Sequence, residues 1–218
     1  MKASEFGSTR GRASTSSAPS SRSVSRWRTR GRAFIAWAFA GESALGVVAL
    51  ALGRLFHVFP LEQLHFSWLS LLWGLVATLP LLLTLRWILT RQDGRWQELI
   101  DFVAKQFGPL LVHRSAGELA LLAAAAGFAE ELLFRGVIQT ALARPLPMVL
   151  ALLVASSLFG LAHIATVNYA LFAGLMGLYL GTLFLIQGSL LPPMIAHALY
   201  DLLALTIVVR RYRSALET

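Results

Sequence analysis

Two adjacent carboxylates, Glu130 and Glu131, interrupt an otherwise apolar run, ELALLAAAAGFAEELLFRGVIQTAL at 118–142. One acidic residue at the centre of a membrane helix costs ~2.5–3.5 kcal/mol on insertion scales, so a pair there calls for a partner and a use. Helical spacing separates the two. Glu131 and Arg135 are four apart and share a face, which suits an ion pair within one helix. Glu130 precedes Arg135 by five, about 140° round the helix, and is left to face a cavity. Two histidines stand in later apolar segments. His163 follows Phe159 by four, and His197 precedes Asp201 by four, a spacing that predicts a carboxylate–imidazole hydrogen bond on one helix face.

This set suits activation of a water. Glu130 would act as general base with His163 and deliver water to a carbonyl, while His197 with Asp201 would stabilise the oxyanion. It suits equally one divalent metal such as zinc, held by Glu130, His163 and His197 with a position open for water. The residue types leave both open. The blander account gives the Glu–Arg pair a packing role and each histidine an inter-helix hydrogen bond. Against it, the whole set falls on three segments, and intramembrane ionisable groups point first to function. Glu42, in the first apolar span, has no evident partner and is assigned a structural or interfacial role. Other chemistries find no support. There is no His-Glu-x-x-His motif and no Gly-x-Gly-Asp, and Ser156, Ser157 and Ser189 lack a Gly-x-Ser-Gly setting. These serines are expected to bond to their own helix backbone.

The elements that must position these groups are membrane helices. Charged residues make up 14% of the chain against ~25% in a soluble domain, and mean hydropathy is +0.66, so the chain reads as an integral membrane protein. The absence of cysteine excludes disulfides, thiolate metal sites and a cysteine nucleophile. Six apolar spans are expected, at 33–53, 66–85, 118–142, 147–165, 168–187 and 189–209. Between the second and third, residues 95–113 place Trp96, Leu99, Ile100, Val103 and Phe107 at helical spacing with Glu98, Asp101 and Lys105 between them, the pattern of an amphipathic helix in the interface. Gly177 and Gly181 offer a smooth face for helix packing. Pro192-Pro193 are expected to bend or loosen the first turn of the last span. The fold class is thus all-α, a polytopic membrane helix bundle of about six spans plus an interfacial helix.

Residues 1–32 are rich in Ser, Thr and Arg and hold eight of the 19 basic residues. They are expected to be disordered, and they also resemble an organelle transit peptide. The net charge of +8 therefore reflects a tail beside a membrane rather than a nucleic-acid surface. Segments 33–115, 116–209 and 210–218 follow as two spans with the interfacial helix, a four-span core and a basic tail. Basic residues concentrate on alternate loops (Arg86, Arg91, Arg95, Lys105 and Arg114, then Arg210, Arg211 and Arg213), which predicts both termini in the cytoplasm of a plasma-membrane protein, or an organelle membrane if the tail is a transit peptide.

EELLFRG, FGLAH and HALYD together resemble the three motifs of the CPBP intramembrane proteases, the CAAX-protease and bacteriocin-processing (Abi) family. The family pattern is Glu-Glu-x-x-x-Arg, Phe-x-x-x-His and His-x-x-x-Asn or Asp, carried here by Glu130, Glu131 and Arg135, by Phe159 and His163, and by His197 and Asp201. The resemblance covers roughly 116–209. It implies an all-helical membrane endopeptidase acting on a membrane-associated peptide or protein, prenylated in the eukaryotic members. There the first Glu and first His are thought to activate water, metal-dependent or not. Asp201 stands where the eukaryotic enzymes have Asn, and an ionised carboxylate cannot donate to an oxyanion, so it is expected to orient His197 instead. Glu131, Arg135 and Phe159 are then structural support. Two other functions remain as alternatives: a non-catalytic immunity or scaffold protein of the same fold, and a small transporter, for which no inverted repeat is visible.

Overall fold

The computed structural model describes residues 21–91 and 94–217, and every described element is helical. Seven helices follow in order. They are α1 (Ser21–Leu55), α2 (Trp68–Thr90), α3 (Gly94–Leu111), α4 (Ala116–Glu131, then Leu132–Gln139 and Thr140–Leu142), α5 (Met148–Ala162), α6 (Val167–Gln187) and α7 (Leu191–Glu217). A single 3-10 turn, Pro60–Gln63, joins α1 to α2. Four stretches are long and apolar enough to cross a membrane: Thr29–Leu55, Trp68–Thr90, Val167–Gln187 and Leu191–Leu216. Their outward residues, among them Trp37, Leu69, Leu83, Leu175 and Ile186, are exposed and apolar, as lipid-facing residues are.

The other two expected spans depart from regular form, and both departures fall at the ionisable residues. α5 has 15 residues, about 22 Å at 1.5 Å each, and stops at Ala162 with His163 as its C-cap. α4 changes immediately after Glu131 into a π-helical stretch, Leu132–Gln139. Such wide turns misalign backbone carbonyls. Here Gly136 O accepts from Gln63 Nε2 at 3.1 Å and Arg135 O from Thr140 Oγ1 at 2.9 Å.

α1 begins at Ser21, inside the tail that was expected to lack regular structure; residues 1–20 lie outside the described residues. α3 occupies the expected place of the amphipathic helix. It packs on α1 and α7, with Phe34 and Phe107 rings 5.9 Å apart. Pro192 and Pro193 lie in the first turn of α7, where a missing N–H costs little, and both are fully buried.

α7 is the central post, packed on α2, α3, α4 and α6. It runs antiparallel to α4. Gly127 meets Met194 and Ala198, so closely that a Cβ there would come within 2.9 Å of Met194 O, and Leu119 and Val209 share a buried cluster. α1 lies alongside α4, with Gly46 facing Ala129 and Ala49 buried against Leu132, Leu133 and Phe134. α5 and α6 form a hairpin that closes the other side.

Candidate active site

α4 starts with a capping box: Ser115 accepts from the Glu118 backbone N–H, and the Glu118 carboxylate accepts from that of Ser115. From this end the helix runs about 21 Å to Glu130. The α5–α6 connection reaches only that level, because His163 Nε2 lies 3.5 Å from Glu130 Oε2. α4 and α7 continue past it, towards Ala116 and Glu217. The short α5 thus supplies the offset that brings His163, at one end of its segment, to the middle of α4.

The glutamates separate as helical spacing predicted. Glu131 Oε1 accepts from Arg135 Nη1 at 2.7 Å, and both side chains are sealed from solvent. Arg135 also donates from Nη2 to Gly177 O at 3.0 Å and lies 4.5 Å over the ring of Phe159. Gln139, one turn on, donates to Gly181 O at 3.2 Å. The smooth face of Gly177 and Gly181 therefore does more than admit a helix: it lets two polar side chains of α4 reach the backbone of α6.

His197 differs from expectation. Its Nδ1 pairs with Glu131 Oε1 at 2.8 Å, while Asp201 Oδ2 stands 3.5 Å from Nε2, beyond a good hydrogen bond. Glu131 outcompetes Asp201 because it is fixed by Arg135 at the depth of the ring. It thus joins Arg135 to His197 and does not serve Arg135 alone. A carboxylate can only accept, so Nδ1 carries the hydrogen and Nε2 faces Glu130, whose Oε2 is 3.9 Å away. His163 is held in the same sense. Its Nδ1 lies 2.8 Å from Phe159 O, an acceptor, which turns Nε2 towards Glu130. Phe159 is fully buried and organises the whole group, 4.5 Å from the His163 ring and 5.9 Å from that of His197.

Glu130 Oε2 is buried and makes no hydrogen bond within the protein. Two further groups reach this neighbourhood from positions that helical spacing did not single out. Glu42 lies one turn before Gly46 on α1, and its Oε2 is buried without a hydrogen-bond partner. Its carboxylate interacts electrostatically with Glu130, His197, Asp201 and His163, so the structural or interfacial role assigned to it gives way to a place beside the site. Tyr169, in the first turn of α6, has its ring 6.1 Å from that of His163. Its signal in the sequence is slight: a polar aromatic near the start of an apolar span. Among the described residues no group of three or more His, Cys, Asp or Glu is placed to hold a metal ion.

The described helices thus form an apolar bundle that places one buried carboxylate, Glu130, near two imidazoles. Residues 113–203 match the family model described as type II CAAX prenyl endopeptidase Rce1-like. That segment is a domain of the CAAX protease family, and it contains every motif residue named above. Comparison with curated proteins and with solved structures gives no match.

Proposed function

We propose that the protein is an intramembrane endopeptidase that hydrolyses a peptide bond of a membrane-associated substrate through a water activated by Glu130 and His163. Glu130 takes a proton from the water as it adds to the carbonyl carbon and returns it to the leaving amine. His163, fixed through Nδ1, assists from Nε2. His197, held by Glu131, donates from Nε2 to the developing oxyanion when protonated, with Asp201 3.5 Å from that nitrogen. Glu131, Arg135 and Phe159 keep the two rings in register.

The observation that carries this reading is the Glu130 carboxylate oxygen, buried, without a hydrogen bond, and within 3.5 and 3.9 Å of the two Nε2 atoms. A general base needs an oxygen free to take a proton, within reach of groups that orient the water. The test is cleavage of quenched-fluorescent peptides, prenylated and unprenylated, by purified protein in lipid nanodiscs. Glu130→Ala and His163→Ala should each lower turnover about 10²–10⁴-fold. Either variant cleaving at the wild-type rate overturns the mechanism, and the preferred peptide defines the substrate class.

A further inference from the structure

Addition of water to a peptide carbonyl places negative charge on the oxygen, and that charge needs hydrogen-bond donors. The neighbourhood of Glu130 is poor in them. Glu42, Glu130, Glu131 and Asp201 only accept when ionised, and Arg135 is turned away, with its guanidinium on Glu131, Gly177 O and the Phe159 ring. Among the described residues that leaves His197 Nε2 and two phenols, Tyr169 and Tyr200, and Tyr200 is buried in the apolar cluster with Ala77, Leu81 and Leu180.

Local structure fixes the start of the helix that carries Tyr169. Thr166 caps α6 by accepting from the Tyr169 backbone N–H at 3.1 Å, which sets the first turn of the helix. The ring meets His163 edge to face at 6.1 Å, beside the α5–α6 connection. The Tyr169 side chain also interacts electrostatically with both Asp201 and Glu130. Tyr169 is half-buried.

We propose that Tyr169 is a further catalytic residue, whose hydroxyl donates a hydrogen bond to the carbonyl oxygen as water adds. The inference rests on the endopeptidase reading above. In the step, the water oxygen bonds to the carbonyl carbon, the C=O electron pair moves onto oxygen, and Glu130 takes the water proton. The phenol keeps its own proton throughout and acts only as donor, beside His197.

Tyr169→Phe tests this, since it removes one oxygen and keeps the ring on His163. On a peptide that the wild type cleaves in nanodiscs, the variant should lose about 10²-fold in kcat, with KM and melting temperature unchanged. A tetrahedral phosphorus analogue of that peptide should lose affinity in step with kcat. Wild-type kcat in Tyr169→Phe overturns the proposal alone, as does a variant that loses melting temperature and KM together, the mark of a packing role. A wild-type protein that cleaves no peptide overturns the endopeptidase reading and this one with it.

Discussion

Two ion pairs of the same spacing lie along α4 in different surroundings. At its start Arg114 Nη1 and Glu118 Oε1 are 3.2 Å apart, with the arginine side chain 4% and the glutamate side chain 38% exposed. In its middle Arg135 Nη1 and Glu131 Oε1 are 2.7 Å apart, with both side chains sealed. The first pair is joined to a capping box, and its work is local: it begins a helix. The second reaches across the bundle, because Glu131 also holds His197, and Arg135 also holds Gly177 O and the Phe159 ring. Equal separation in sequence thus says little about consequence. Exposure and the number of further helices touched decide it.

The largest effect expected from this contrast is at the buried pair. Arg135→Ala leaves Glu131 an uncompensated buried charge, and losses of about 3–5 kcal/mol are usual for such truncations. Thermal unfolding in detergent should show a large drop in melting temperature, together with loss of any cleavage. A smaller loss is expected at the helix start: Ser115→Ala removes the N-cap and should cost about 1 kcal/mol, with turnover per folded molecule unchanged. The smallest belongs to Glu118→Gln, which retains the capping geometry and removes only the exposed charge. Its effect should stay within about 0.5 kcal/mol and fade in high salt. Comparable losses at Arg135 and Glu118 would erase the distinction between the two ends of α4.

The sequence made much of this site legible, for a definite physical reason. Within one helix, residue spacing converts directly into angle, so the parting of Glu130 from Glu131 and the pairing of Glu131 with Arg135 could be read in advance. Spacing is silent about which helices touch. The bond from His197 to Glu131 spans 66 positions and could not be anticipated, so Asp201 took its place in the expectation. The π-helical stretch likewise follows from no spacing in the sequence, whereas the early end of α5 had a local signal in His163 and in Thr166, which caps the next helix. Glu42 was visible as an oddity and Tyr169 hardly at all. Each joins the site from a helix that carries no motif residue. The overall class was legible from composition alone, because so few charges leave no surface that water would wet.

The central claim is that adjacent glutamates do different work, Glu130 chemical and Glu131 architectural. Its most direct test is a paired measurement of turnover and melting temperature on Glu130→Gln and Glu131→Gln, purified identically. The account predicts that Glu130→Gln keeps the wild-type melting temperature and loses turnover by about 10²–10⁴-fold, whereas Glu131→Gln lowers the melting temperature through the loss of its bonds to Arg135 and His197. An active Glu130→Gln, or a Glu131→Gln as stable as wild type, would contradict it.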